Sequence, residues 1–221
     1  MCFFFTENHW VMPEYFCTVG FGLEHFAADE LAALTGVTVR LVLVGKVFFL
    51  ARDPIPGLLT LKTVERLFVQ VIHAKVDKET DTPPEQVVSD ETACLSIEDW
   101  LRKKVADDRV AWLDCVSCWK GIAGASGGEA SALKFRVNSK LSGRFRKLHN
   151  YRRVSSLVAD FLVENLHLVA DLHEPDVEVV LHLNDEYLTV GLPLTPKPLS
   201  LRSYLPHIAV RLEPCFLICG T

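Results

Sequence analysis

Hydrophobic and polar residues alternate along three short segments in the second half of the chain. In the first of these, Leu133, Phe135 and Val137 alternate with Lys134, Arg136 and Asn138. Such alternation is typical of a strand with one buried and one solvated face. Hydrophobic and polar residues also alternate within segments 177–183 and 187–192. The turn Asn184-Asp185 lies between these segments, which predicts a hairpin. Hydrophobic residues recur at helical spacing over 154–166, and Asn150 is well placed to cap that helix.

The first half of the chain predicts the element order β-α-β-β-α-β. The predicted strands are 14–19, 37–44, 47–50 and 67–74, and the predicted helices are 23–35 and 58–64. This order is that of a ferredoxin-like domain. The second helix is the weakest element, because Pro54, Pro56 and Gly57 leave it little room.

An acidic segment separates the two halves. Residues 77–92 contain six acids and one base around Thr82-Pro83-Pro84, which is typical of a solvated linker. Ser96, followed by Asp99, resembles a capping box that opens a helix to Val105, and a second helix follows over 110–122. We therefore expect an α/β (α+β) protein with a ferredoxin-like domain over 13–76, a linker over 77–95, a second α/β domain over 96–192 and a tail over 193–221.

Composition narrows the class of protein. The chain has 221 residues, of which 49% are hydrophobic and 23% are charged, so it can form one or two globular domains. Its longest apolar stretch, 37–51, is interrupted by Arg40 and Lys46 and is too short to span a bilayer. The seven cysteines are an odd number, which favours free thiols in a reducing compartment. We expect an intracellular protein of the cytoplasm or nucleus that is not bound to a membrane.

Charge is distributed unevenly along the chain. Residues 130–159 contain eight basic and no acidic residues, whereas the remainder has 15 basic against 28 acidic ones, a net charge of −13. Such a segment attracts phosphates to one part of a protein that repels them elsewhere. We predict RNA binding by its basic residues. These are Lys134, Arg136, Lys140, Arg144, Arg146, Lys147, Arg152 and Arg153.

The start of the predicted helix after Asn150 is a candidate phosphate site. Arg152 and Arg153 lie in its first turn, where the helix dipole disfavours cations unless an anion is bound. Three aromatic residues, Phe145, His149 and Tyr151, are interleaved with the bases and are candidates for stacking on unpaired RNA bases. Phe145 and Tyr151 fit equally well in the hydrophobic core.

The sequence gives little support for a metal site or for a phosphate-binding loop. Cys115 and Cys118 have metal-ligand spacing, and Cys215 and Cys219 could supply a second pair, but burial of free thiols within a helix is the simpler interpretation. The loop 121–128 is rich in glycine but lacks the Gly-Lys-Ser/Thr ending of a P-loop. We therefore predict no metal site and no catalytic residues.

Four motifs resemble those of a known family. The segments Phe16–Glu24, Gly45–Phe49, Phe135–Asn138 and His182–Tyr187 resemble, in the same order, motifs of the THUMP-domain RNA methyltransferases. The resemblance implies that the second α/β domain is a THUMP domain. It also implies that the two domains jointly hold structured RNA, such as a tRNA acceptor end, for guanosine N2-methylation from S-adenosylmethionine.

The chain departs from the family pattern after Tyr204. The family continues there into a Rossmann-like catalytic domain, whereas no Asn-Pro-Pro-Tyr or Leu-Pro-Tyr base-binding motif occurs in this sequence. We therefore expect a truncated form without a Rossmann-like methyltransferase domain, which binds RNA but holds no cofactor and is not an enzyme on its own. The family's small activator subunit would then lack its docking domain. The alternative is a regulatory fragment that competes with the full-length enzyme for RNA or for a protein partner.

Overall fold

A computed structural model describes residues 4–6, 9–11, 13–52, 55–76, 90–107, 109–123, 133–148, 150–195 and 197–199. The strands are β1 (Phe4–Thr6), β2 (His9–Val11), β3 (Glu14–Val19), β4 (Val37–Leu43), β5 (Lys46–Ala51), β6 (Val64–Lys75), β7 (Lys134–Leu141), β8 (Val169–Ala170), β9 (Val177–Leu183) and β10 (Tyr187–Pro193). The helices are α1 (Glu24–Ala32), α2 (Ile55–Leu58), α3 (Asp90–Asp107), α4 (Arg109–Ala123), α5 (Phe145–Leu148) and α6 (Tyr151–Leu166).

Eight of these strands form a single mixed sheet in the order β4-β5-β3-β6-β10-β9-β7-β8. All pairs are antiparallel except β7 with β8 and β7 with β9. Strands β1 and β2 pair separately. The predicted hairpins around Gly45 and around Asn184 are both present.

The two predicted domains share this sheet. Strand β6 of the first half pairs antiparallel with β10 of the second half, from Lys75 opposite Tyr187 to Phe68 opposite Pro193. Strand β6 buries residues on both faces, as a central strand does, and without β10 its outer edge would expose unpaired backbone groups.

The helices cover one face of the sheet and build the main core. Helices α1, α4 and α6 pack on this face, and α3 packs against α6. Large side chains that are fully buried in this core include Tyr15, Phe49, Trp112, Phe135 and Phe145. Alternation along the strands explains the arrangement, because it directs every second side chain toward the helices.

The opposite face of the sheet, here called the open face, carries a smaller cluster. Phe16, Phe48, Phe68 and Val180 are buried there, each 1–4% exposed. The rings of Phe16 and Phe68 stack with their centroids 4.6 Å apart. Phe16 also lies over Gly191 of β10, where a Cβ would come within 2.5 Å of the ring. The strands therefore approach one another closely on the open face.

Some element boundaries in the structure differ from those predicted from the sequence. Helix α3 begins at Asp90, so Ser96 lies inside the helix and the predicted linker is six residues too long. A capping box requires that the helix begin just after Ser96, whereas the backbone is already helical over the six residues before it. Residues 77–89, most of the loop 121–128 and the tail from 200 onward lie outside the described residues. No helix in the described part of the chain is long and apolar enough to cross a membrane.

Candidate nucleic-acid interface

Strand β7 presents its cations on the open face. Lys134, Arg136, Asn138 and Lys140 are exposed, whereas Phe135 is fully buried on the helix side. The alternation seen in the sequence therefore predicts this strand correctly. It places Arg136 and Lys140 on the face that no described helix covers.

Glu178 of β9 partly neutralises this row of cations. One carboxylate oxygen accepts a hydrogen bond from Arg136 at 3.1 Å, and the other accepts one from Arg66 of β6 at 3.1 Å. Burial alone would raise the pKa of Glu178, but hydrogen bonds from Arg66 and Asn138 and the charge of Arg136 hold the pKa below its usual value. Glu178 thus joins cations from both halves of the chain.

Other basic residues of the segment are also paired with acids that are distant in sequence. Lys134 contacts Asp171 at 3.0 Å, and Arg153 contacts Glu98, which is buried in the helical layer. The backbone N–H of Arg144 donates to Asp185 at 2.8 Å. The absence of acids within 130–159 therefore overstates the local charge, because the fold brings carboxylates from elsewhere.

The predicted phosphate site at the start of α6 is partly capped by the protein itself. Asn150 accepts a hydrogen bond from the backbone N–H of Arg152 at 2.9 Å, which confirms it as the N-cap. Arg152 and Tyr151 are exposed and contact each other, with 3.3 Å between the Arg152 Nε and the Tyr151 hydroxyl. Arg153 instead faces α3. The cations of β7 and of α6 therefore lie on different sides of the sheet.

The three predicted stacking residues differ in exposure. Phe145 is fully buried, so its prediction as a base-stacking residue is wrong and the alternative, a core residue, is confirmed. Tyr151 is 54% exposed and can present its ring to a ligand. Arg146 is exposed on α5, whereas His149 and the side chain of Lys147 lie outside the described residues.

A concave trough on the open face brings Lys140, a predicted RNA-binding residue, together with residues that were not predicted to bind RNA. It has a volume of about 410 Å³ and lies where β3, β5 and β6 face β7 and β9. Its charged lining residues are Lys46, Arg66 and Lys140, which are cations, and Glu65. Lys46 and Lys140 are five strands apart in the sheet order, so the sheet must curve strongly to bring them to one cavity.

Burial and the positive charge concentrated in the trough lower the pKa of two groups that line it. Burial, with the charges of Lys46, Lys140 and Arg66, lowers the pKa of His182 to about 3, so this histidine is neutral at physiological pH. Burial, with the charge of Lys140, also lowers the pKa of Lys46. Neither Lys46 nor Lys140 has a carboxylate partner within the described part of the chain.

One sequence signal could have identified Lys46. Lys46 and Phe48 are two residues apart on β5 and therefore share a face, and the same holds for Arg66 and Phe68 on β6. A repeated pattern of cation and phenylalanine marks the open face. The distribution of charge along the chain does not reveal it, because Lys46 and Arg66 lie outside the segment that contains no acids.

Cys115 and Cys118, one of the two pairs considered as metal ligands, are buried, whereas Cys215 and Cys219 lie outside the described residues. Cys115 donates to the carbonyl oxygen of Gln70 at 3.0 Å, and burial raises its pKa to about 12. Cys118 is 1% exposed and lies 3.6 Å from the Tyr15 hydroxyl. Both side chains therefore pack as thiols in the main core.

Proteins with related sequences are RNA methyltransferases. The chain is 23% identical to the mouse U6 snRNA (guanine-N(2))-methyltransferase THUMPD2, over 89% of this chain and 50% of the mouse protein. It is also 23% identical to the cattle THUMPD2, over 91% of this chain and 54% of that protein. The chain thus spans about half the length of the relatives it matches. No protein-family model matches it.

Solved structures match most of the chain at low identity. TrmN from Thermus thermophilus covers 86% of this chain and 47% of its own, with a TM-score of 0.55 and 22% identity. A protein from Listeria monocytogenes described as an N6-adenine-specific DNA methylase covers 96% and 49%, with a TM-score of 0.64 and 16% identity. SMU.472, described as a methyltransferase and complexed with SAH, covers 95% and 49%, with a TM-score of 0.56 and 15% identity.

These matches correct three predictions. The expectation of a chain without the fold of Rossmann-like methyltransferases is wrong, because 86–96% of it aligns with these structures. The expectation that it is not an enzyme is contradicted by the same matches and by the THUMPD2 relatives. The expectation of no cofactor is corrected on the same ground, because SMU.472, whose structure covers 95% of this chain, is a complex with SAH. All three predictions relied on the residues after Tyr204, whereas the similarity covers most of the chain.

The described residues themselves do not fit S-adenosylmethionine. In sheets of this kind such ligands bind beyond the carboxyl ends of parallel strands. Beyond the ends of the parallel strands β7 and β9, the Asp185 carboxylate fills the turn, so that a Cβ on Gly143 would come within 2.1 Å of it. The trough, with three cations, would repel the positively charged sulfonium of the donor.

Proposed function

We propose that this protein acts in the guanine-N2 methylation of RNA and that its described residues supply an RNA-binding surface. The observation that carries this proposal is the similarity to THUMPD2 over 89% of the chain. The concentration of basic residues in 130–159 supports the choice of RNA as ligand. S-adenosylmethionine is the methyl donor that the proposal implies.

The contribution of the described residues is to bind and orient RNA. Arg136 and Lys140 on the open face, with Arg146 and Arg152 near α6, are exposed cations that can contact phosphates. Tyr151 offers an exposed ring beside Arg152, an arrangement that can hold an unpaired base next to its own phosphate. Small structured RNAs, including tRNA acceptor ends and U6 snRNA, are the substrates that we propose.

Methyl transfer tests the activity directly. The purified protein is incubated with labelled S-adenosylmethionine and transcripts of U6 snRNA or tRNA, and the digested RNA is analysed by mass spectrometry. We expect N2-methylguanosine in one class of transcript. Matched transcripts that contain inosine have no exocyclic amine at that position and should remain unlabelled. Label on adenine, or on DNA in place of RNA, would contradict the proposal.

RNA binding is tested separately by its dependence on salt. Affinity for a folded tRNA should fall steeply from low to physiological salt, and removal of the single-stranded 3′ end should weaken it. Arg152→Gln should reduce the salt dependence, whereas Arg153→Gln is the matched control because Arg153 is paired with Glu98. Salt-independent binding that resists both substitutions would favour a protein-interaction role instead.

A further inference from the structure

The trough on the open face has the composition of an anion site. Three of its four charged lining residues are cations, and they come from three different strands, β5, β6 and β7. Its other polar lining residues include Thr18, Asn138 and His182, which can donate hydrogen bonds. Cations that converge from separate parts of a chain are expensive to place together unless a ligand of opposite charge binds between them.

This cost applies to Lys46 and Lys140. Lys46 is half-buried, and the charge of Lys140 reaches it across the trough. The third cation, Arg66, is already paired with Glu178, and Glu178 also takes up the charge of Arg136. Among the residues that the structure describes, no acid pairs with the two lysines, so their charges stay available to a ligand.

We propose that this trough binds a phosphate group of the RNA backbone between Lys46 and Lys140. The chemical class follows from the lining, because a phosphodiester offers oxygen acceptors to ammonium, hydroxyl and amide donors at once. The cavity of about 410 Å³ is large enough for a nucleotide but polar in its lining. The inference relies on the proposed function only for the identity of the anion as RNA.

The buried phenylalanines explain how the trough keeps its shape. Phe68 lines the trough and stacks on Phe16, and Phe16 packs closely over Gly191. These contacts hold β6, β3 and β10 together beneath the cations. The lysines are therefore presented by a rigid surface, which reduces the entropy lost when a ligand binds.

Charge removal with a matched control tests the site. Lys46→Gln and Lys140→Gln each remove one cation from the trough, and Lys120→Gln removes one from the exposed side of α4 in the helical layer. Each trough variant should weaken RNA binding roughly tenfold and reduce the slope of log affinity against log salt by about 1. Lys120→Gln should change neither quantity. Thermal melting of each variant confirms that it is folded.

A second probe separates this inference from the proposed function. Inorganic pyrophosphate is titrated into the wild-type protein, and amide chemical shifts are followed by NMR. Shifts should concentrate at Gly45, Lys46 and Lys140 and disappear in the Lys46→Gln/Lys140→Gln variant. Such shifts without any RNA binding would support an anion site and contradict the proposed function.

Two other outcomes would overturn the site. RNA binding that is equally strong in the trough variants and in Lys120→Gln would place the RNA elsewhere on a working RNA-binding protein. Pyrophosphate shifts confined to the first turn of α6, around Arg152, would show that the trough binds no phosphate.

Discussion

The two faces of the sheet differ in what their buried residues support. The helix-covered face buries Tyr15, Phe49 and Trp112 in a continuous core, and its strands contribute apolar residues almost without exception. The open face alternates a small aromatic cluster with cations, among them Lys46, Arg66 and Lys140. Alternation along each strand thus directs apolar residues that stabilise the fold to one side and the cations that we propose bind a ligand to the other.

The largest expected effect comes from the helix-covered face. Trp112 is fully buried against Phe161, so Trp112→Ala should lower the free energy of unfolding by about 3–5 kcal/mol. Trp112→Phe should cost less, because it keeps an aromatic ring and removes a buried indole N–H that has no acceptor within the described residues. Urea denaturation measures both. If the two variants were equally stable, the core role assigned to this ring would be wrong.

The open face should make stability depend on pH through His182. In the folded state burial, together with the charges of Lys46, Lys140 and Arg66, holds the pKa of His182 at about 3, whereas in the unfolded chain its pKa is the ordinary value of 6.5. The unfolded state therefore binds more protons below pH 6.5, and stability falls as the pH is lowered from 6.5 toward 3. The slope contributed by one such group is at most about 1.4 kcal/mol per pH unit.

His182→Gln should remove this dependence. Denaturation at pH 6.5, 5.5 and 4.5 would show a shallower loss of stability in the variant than in the wild type. His173→Gln, on an exposed loop, is the control and should behave like the wild type. Parallel curves for all three proteins would contradict a neutral, partly buried His182.

The close approach of strands on the open face predicts a smaller effect. Gly191→Ala would place a methyl group 2.5 Å from the Phe16 ring and 2.8 Å from the Val69 carbonyl oxygen, and should cost about 1–3 kcal/mol. Adding Phe16→Leu should recover part of the loss, because it relieves the ring contact but not the backbone contact. A double variant no more stable than Gly191→Ala would show that the ring does not limit this approach.

The smallest expected effect is local to α6. Asn150→Ala removes the side chain that accepts from the Arg152 N–H and should cost about 1 kcal/mol. Asn150→Asp keeps the acceptor and adds a favourable charge at the helix start, so it should retain stability. Thermal melts of the three proteins test this order.

Local patterns account for the parts of the fold that the sequence predicts well. Strand β7, helix α6 and the hairpin of β9 and β10 follow from alternation, helical spacing and the turn at Asn184. The pairing of β6 with β10 could not be predicted in this way. It depends on which edge strand of one half meets which edge of the other, and no local pattern encodes that choice.

Local patterns likewise predict only part of the candidate site. Arg136 and Lys140 lie in a run of basic residues. Lys46 and Arg66 are marked in the sequence only by the phenylalanine two positions after each, and the curved sheet brings them to the same trough as Lys140. Arg153 illustrates the opposite error. It has no acid near it in sequence, yet the fold places Glu98 beside it. Charge counted along a chain therefore misses both the cations that folding gathers and those that it neutralises.

The pairing of β6 with β10 also has a consequence for biosynthesis. The two strands are separated by more than a hundred residues, so β10 leaves the ribosome roughly 5 to 20 s after β6 at ordinary elongation rates. During that interval one edge of a long, largely apolar strand has no partner, and such edges promote association between chains. The nascent polypeptide should therefore need a chaperone until β10 arrives, and slower translation should lower the yield of native protein.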